Sequence, residues 1–559
     1  MSGAPQHGNG MSILGSMSKY WHTLRYLRPV QFYGRLWFQI AKSKIDASTP
    51  PSRRPPPDKW IESAKRAPSL LGPDHFWFLN VEGKLSEVRW DGSEREKLWR
   101  YNQHYFDDLN AQDNQARSDW HRDLLHAWVE DNPPGAGTGW DPYPTSLRIV
   151  NWIKWAHAEN TLSDALHHSL AIQTRWLMQR LEWHLLGNHL FSNAKALVFA
   201  GLYFQGTEAE KWLTKGFEIL KREVPEQILS DGGHFERSTM YHALALEDML
   251  DLCNVFRMNK ASLDPEQQAL TADWASRVDS MLFWHTAMCH PDGEISFFND
   301  AAFGIAPSTD ELFSYAARLG FNRLGAQAGI TRLAHSGYTR LEAHDAVAII
   351  DTAPIGPDYL PGHAHADTLS FELSLFGCRV FVNSGTSLYG LSDERSRQRG
   401  TKAHNTMVVD GENSSEVWSG FRAARRARPL GYKDESGTEL KVACSHDGYM
   451  RIKGGPLHTR KWRLSAKQFK VEDSLSTLTF DSADARFHMH PNVDIKIDAE
   501  NKCGTLLLSN GIEIEWQCEG GDPRVEQSTW HPEFGVAIPT ACLIVPLKGG
   551  RADLSLSWV

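Results

Sequence analysis

The sequence predicts an α-helical domain followed by a large antiparallel β domain. Three observations carry this. The 559 residues exceed what a single hydrophobic core organises. From about residue 96 to 332, apolar residues recur at three-to-four spacing. From 333 to 559 the period becomes two, in short runs bounded by turn residues.

The elements follow in order. Residues 1–95 read as an irregular arm. Within it, STPPSRRPPPDKW (48–60) is too proline-rich for a helix. The preceding YLRPVQFYGRLWFQIAKSK reads as one amphipathic helix with basic and aromatic residues, docked on the body or lying on a membrane surface. LRIVNWIKWAHAEN, SLAIQTRWLMQRLEWHLL, HLFSNAKALVFAGLYF, AEKWLTKGFEILKREVPEQI and YHALALEDMLDLCNVFRM then read as helices joined by short loops. Such helices pack as antiparallel pairs, and five in a row suggest a ring or solenoid of hairpins. GYTRLEAHDAVAIID, LSFELSLF, RVFVN, TMVVDG and the runs after them read as strands of a sandwich. Clefts between two such domains favour ligand sites.

Bulk composition narrows the function. A formal net charge of −9 argues against a nucleic-acid partner. Twenty-one tryptophans supply flat faces suited to sugar rings. The seven cysteines are scattered and form no C-x-x-C, so neither a disulfide framework nor a thiolate zinc site is implied. No run approaches the ~20 apolar residues of a transmembrane helix. No signal-like apolar run opens the sequence. The expectation is a cytoplasmic chain, or a periplasmic or secreted one if the start is misassigned.

Several clusters mix titratable and polar residues beyond what packing needs. GHAHADTLSFELSLF places His363, His365 and Asp367 at one parity with the leucines, if the strand extends backwards. One imidazole then faces a substrate and the other a metal or a buried partner. AHNTMVVDG adds His404 and Asn405. In LLGNHLFSNAKAL, Asn188 and His189 open a helix, whose free N–H groups and dipole suit a carboxylate. In DGGHFERSTMYH, Ser238 caps a helix with Tyr241 in its first turn, where the dipole would ease ionisation of the phenol. His234 and Glu236 crowd the preceding turn. Polar-aromatic mixtures at loop-to-helix junctions make His104, Tyr105, Trp140, Tyr143, Arg148 and Asn299 further substrate-binding candidates. FRAARRARP offers arginines, Arg422 among them, to an anionic chain or to solvent.

Four segments in this order, across a helical-to-β switch, resemble the heparinase II/III family of polysaccharide lyases over nearly the whole chain: GNHLFSNAKAL, DGGHFERSTMYH, GHAHADTLSFELSLFGCRVFVNSGTSLYG and AHNTMVVDG. The resemblance implies an (α/α) toroid packed on an antiparallel β-sandwich, with the site between them. It implies an acidic polysaccharide substrate cut by β-elimination at a uronic acid. Asn188 and His189 would neutralise the uronate carboxylate. Tyr241 matches the family's general acid, His363 its partner histidine, and Tyr389 a tyrosine near the cleaved linkage. Tyr241 alone suffices for a syn elimination; an anti elimination would use His363 as base. No organic cofactor is implied. A structural zinc or other divalent metal is, on His365, Asn383 and His404, although an aspartate is usual where Asn383 stands. Three alternatives stay open: a uronate C5 epimerase, a glycoside hydrolase using Glu236 and Asp300, and a non-catalytic protein that binds an envelope polysaccharide.

Overall fold

The computed structural model describes residues 13–158, 160–323 and 325–559. Its two halves follow the periodicity. Helices run from Lys97 to Arg318, and strands dominate from Gly329 onward. At the centre of the helical half, Gly187–Tyr203 is buried along almost its whole length. It packs against Thr207–Gln227, and two glycines permit the close approach. A Cβ on Gly201 would lie 2.7 Å from Leu213 Cβ, and one on Gly216 2.7 Å from Val198 Cγ2. Pro142–His157 and Thr239–Met258 flank this pair.

The β half contains three main sheets. A five-stranded meander runs through Gly329–Leu333, Tyr338–Ala343, Ala346–Asp351, Phe371–Leu375 and Cys378–Phe381. An eight-stranded antiparallel sheet and a four-stranded one complete the domain. Phe371, Trp462, Phe469, Phe487 and Leu554 meet in their common core. Strands of the eight-stranded sheet alternate buried and exposed residues, as His458–Leu464 and Gln468–Leu475 do, because one face is wet.

Three expectations change. The arm holds two helices, Ile13–Leu24 and Pro29–Ile40, because Pro29 starts a helix more readily than it continues one. It also carries a three-stranded sheet, Leu70–Gly72, His75–Phe78 and Val81–Lys84. The third change concerns the His363 segment. The strand does not extend back from Phe371. Residues 361–370 form a loop, with Leu369 at φ 65°. Instead of a ladder, the loop is stitched to the turn at Asn299 and Asp300. Asp300 N–H donates to His363 C=O at 2.9 Å, His365 N–H to Asn299 Oδ1 at 3.1 Å, and Asn299 N–H to Asp367 Oδ2 at 3.1 Å. These bonds, with others such as Ala366 N–H to Arg399 C=O and Leu369 N–H to Asp351 C=O, replace the sheet pairing these backbone groups would otherwise need.

Candidate active site

A cleft of about 1670 Å³ lies between the two halves. The helical half contributes Tyr105, Tyr143, Asn188, His189 and Tyr241 to its wall, and the β half contributes His363, Tyr389 and Arg422. Asn188 and His189 sit in the first turn of Gly187–Tyr203. Gly187 makes that start possible: its φ is +55°, and a Cβ there would lie 2.3 Å from Leu360 Cδ2. Ser238 caps Thr239–Met258, accepting from Tyr241 N–H at 3.1 Å, and so fixes Tyr241 in the first turn.

The geometry centres on Tyr241. Its hydroxyl is 3.0 Å from that of Tyr389, and its ring lies 4.0 Å, centroid to centroid, from the imidazole of His363. The helix dipole does not make this phenol easier to ionise. Burial outweighs it and, with Tyr389 alongside, pushes Tyr241 well above the ordinary tyrosine value. Burial raises Tyr389 likewise. Both are protonated donors at neutral pH.

His363 is held from behind. Its Nδ1 is 2.9 Å from Asp300 Oδ2, and Asp300 is sealed from solvent. Burial opposes ionisation of Asp300, but the Arg395 fork outweighs it and holds the carboxyl well below its usual range. Arg395 Nη2 donates to Oδ2 at 2.7 Å, Nη1 bonds Oδ1, and Thr386 Oγ1 donates to Oδ1 at 3.2 Å. An ionised carboxylate only accepts, so His363 Nδ1 donates to Asp300 and Nε2 is the ring nitrogen Asp300 leaves unengaged. That Nε2 is 3.7 Å from Glu236 Oε2. Glu236 is buried beneath the cleft floor. Burial raises its carboxyl above the ordinary range, while His363 and His189 work against that.

Across the cleft, Glu182 Oε1 is 3.1 Å from His189 Nδ1. Burial works against an imidazolium here, but Glu182 prevails and His189 is raised above the ordinary histidine value. Tyr143 packs on its ring at 4.6 Å. Asn193, one turn on, spends its amide on Glu182 and Ser146 and anchors Glu182. A cation and the Asn188 amide thus border the cleft at a helix N-terminus, where an anion is favoured. The arrangement combines an anion-binding corner, an imidazole anchored through its Nδ1, and a phenol able to donate.

Other expected residues lie elsewhere. His104, Trp140 and Arg148 belong to the helical core. His104 Nδ1 accepts from Trp128 Nε1 at 3.0 Å, and the buried Arg148 guanidinium lies 3.8 Å over the Trp128 ring. Their loop-to-helix junctions point inward, so none reaches a ligand. His234 is buried on Gln227, 3.3 Å away, and burial lowers it to about 3. Asn299 is consumed in stitching the His363 loop and donates to Arg237 C=O at 2.9 Å. Of the arginine run, Arg422 reaches the cleft wall, lying 4.9 Å over Trp418, whereas Arg425 is paired with Glu416 and Arg426 with Asp358.

The implied metal ligands do not form a zinc cage. His365 Nε2 is 2.8 Å from Asp300 Oδ1, and its Nδ1 is 3.2 Å from His404 Nε2. Burial lowers both imidazoles, so a chain of neutral N–H donors running His404, His365, Asp300 satisfies these contacts. Asn383 donates to Phe297 C=O at 2.9 Å, and its Oδ1 accepts Asn405 N–H at 3.1 Å. An uncharged amide already engaged at both ends is a poor zinc ligand. Among the described residues, no three His, Cys, Asp or Glu side chains are placed to hold a metal.

Sequence reasoning missed Arg395 and Glu182 and gave Asp300 another role. Arg395 stands in SDERSRQRG, a stretch with no site signal of its own. In the structure Asp393–Arg399 is a short helix that turns Arg395 inward. Glu182 follows the end of Asp164–Gln179, within a stretch read as continuing helix.

The site thus joins a helical half and an antiparallel β domain, with a tyrosine, a histidine and an anion corner at the seam. Two family models bear on it: the heparinase II/III N-terminus model matches residues 77–317, and the heparinase II/III-like C-terminal model matches residues 326–559. The chain belongs to the heparinase II/III-like family. It is 25% identical over 360 residues to a heparin-sulfate lyase of Bacteroides stercoris, covering 60% of this chain and 50% of that protein. It is also 25% identical over 370 residues to FtsZ-localized protein C of Caulobacter vibrioides, covering 62% and 60%. A solved heparinase III structure superposes with a TM-score of 0.64 at 19% identity, covering 82% of this chain and 76% of that one. The chain spans about half the length of the first of these curated relatives.

Proposed function

We propose that this protein is a lyase that cuts a uronic-acid-containing polysaccharide by β-elimination. The observation that carries it is the trio of Tyr241, His363 and Tyr389 facing an anion-binding corner across one cleft. The C5 proton of a uronate is weakly acidic because the adjacent carboxylate is already negative. Asn188 and the His189 imidazolium meet that carboxylate and stabilise the charge that grows as the proton leaves. Each preorganised donor of this kind contributes about 3 kcal/mol. His363 Nε2 takes the C5 proton. The C5 electrons form the C4–C5 double bond, the C4–O4 bond breaks, and the Tyr241 hydroxyl protonates O4.

The contact between the Tyr241 and His363 rings supports a finer statement. With centroids 4.0 Å apart, no sugar ring fits between them, so both address one face of the substrate. That is the geometry of syn elimination, with His363 as its base where the resemblance implies Tyr241 alone. It suits a glucuronate, whose C5 hydrogen and O4 leave from the same side.

The hydrolase reading loses support, since Asp300 is locked by Arg395 and two histidines and neither it nor Glu236 opens on the cleft. The epimerase reading would share the carboxylate corner, but nothing in the cleft favours it. The test is ultraviolet absorbance during incubation with heparan, hyaluronan, alginate and polyglucuronate. A rise that disappears in Tyr241→Phe is expected. New reducing ends without absorbance would mean hydrolysis, and exchange of solvent deuterium into C5 without absorbance would mean epimerisation.

A further inference from the structure

The two N-terminal helices are turned inside out. In Ile13–Leu24, the residues at helical spacing Met17, Tyr20, Trp21 and Leu24 face solvent, with Trp21 66% exposed. The inner side presents Thr23, whose hydroxyl accepts from Trp418 Nε1 at 3.2 Å. Pro29–Ile40 repeats the pattern. Gln31 and Gly34 are its buried residues, while Phe32, Tyr33, Leu36, Trp37 and Ile40 point outward. A helix that merely docks on a domain buries its apolar stripe and exposes its polar one. Here Val30 and Phe38 pack inward, yet most of the apolar residues of both helices stay exposed, more than scattered exposed side chains explain.

Charge sets the occupant. No aspartate or glutamate precedes Asp46, whereas Lys19, Arg25, Arg28, Arg35, Lys42 and Lys44 all fall in this stretch of a chain with net charge −9. Arg28 is paired with Glu226, but Arg25, Arg35, Lys42 and Lys44 are exposed beside the stripe of Trp, Tyr, Phe and Leu, which matches the boundary of an anionic bilayer, where aromatic rings sit at headgroup level and basic side chains meet lipid phosphates. A second copy of this chain is a poor fit, because a self-complementary interface would bring the same cations against each other. We propose that this helix pair is a peripheral anchor for an anionic lipid surface. Tyr20, Leu24 and Arg35 of the same helices line the cleft, so the anchor would hold the mouth of the cleft beside the bilayer.

The test is sedimentation of the full chain with phosphatidylglycerol–phosphatidylcholine vesicles and with phosphatidylcholine vesicles alone. Binding to the anionic vesicles, weakened by salt and lowered at least about tenfold by Tyr33→Ser with Trp37→Ser, is expected. Both side chains are exposed, so the melting temperature should not change, which separates lost binding from lost folding. Failure of the native chain to sediment with anionic vesicles, or sedimentation indifferent to the substitutions, would overturn the proposal. So would a dimer in analytical ultracentrifugation that the same substitutions abolish.

Discussion

Asp300 and Asp473 are built alike. Each is sealed from solvent, takes an arginine fork, and bonds a histidine that in turn faces a second histidine. At Asp473 the partners are Arg460 at 2.7 and 2.8 Å, His458 at 2.6 Å and, beyond it, His446 at 3.0 Å. At Asp300 they are Arg395, His365 at 2.8 Å and, beyond it, His404 at 3.2 Å. Burial opposes ionisation at both and arginine prevails, leaving Asp473 at about 2 and Asp300 well below its usual range. The difference is one further imidazole. His363 bonds Asp300 and reaches the cleft, with 15% of its side chain exposed, whereas His446 and His458 are fully enclosed. The buried bundle is a folding device in both places. On the proposed reading, only where an additional histidine opens onto a cleft does it also orient a base.

The largest effect expected is outside both bundles. Tyr241→Phe removes the proton donor and should lower kcat by about 10²–10⁴-fold with little change in stability. The bundles are then separated by a matched pair. Asp300→Asn and Asp473→Asn each leave a buried arginine without its counter-charge and should each cost about 3–5 kcal/mol in denaturant unfolding. Only Asp300→Asn should also lower kcat of the folded enzyme, because His363 loses the acceptor that fixes its tautomer. Equal kinetic effects of the two would break the comparison. Asn188→Ala should cost about 3 kcal/mol of transition-state stabilisation, near 10²-fold in kcat/KM, without moving the pH profile.

The smallest effect is the most diagnostic for the anion corner. His189 has a raised folded-state value, so the stability it contributes is fully present below its unfolded value. That contribution is lost as pH rises through the folded one. The alkaline limb of kcat/KM should follow the same loss of the imidazolium. Glu182→Gln removes the main raising influence and should shift that limb to lower pH. An unmoved limb would assign it to another group.

How much of this was legible follows from the range of the contacts. The helical-to-β switch and the first-turn positions of Asn188, His189 and Tyr241 rest on local patterns, period and capping, which a sequence displays. The Asp473 bundle is nearly local too, since Arg460 and Asp473 are opposite each other on adjacent strands. The Asp300 bundle joins two loops and a short helix far apart in sequence, and no local pattern marks Arg395 as their partner. The strand that parity requires at His363 and His365 is absent; the Asn299 turn, not parity, puts one at the cleft and the other in the interior. His104, Trp140 and Arg148 misled because aromatic and polar mixtures also build cation–π packing in a core.

The account turns on Tyr241 and His363 acting from one side of the sugar. The most direct measurement compares initial rates of double-bond absorbance on a polymer whose uronates are all glucuronate with rates on one whose uronates are all iduronate. The account predicts a strong preference for glucuronate, abolished together with activity in His363→Ala. Faster cleavage at iduronate, whose C5 hydrogen and O4 leave from opposite faces, would contradict it.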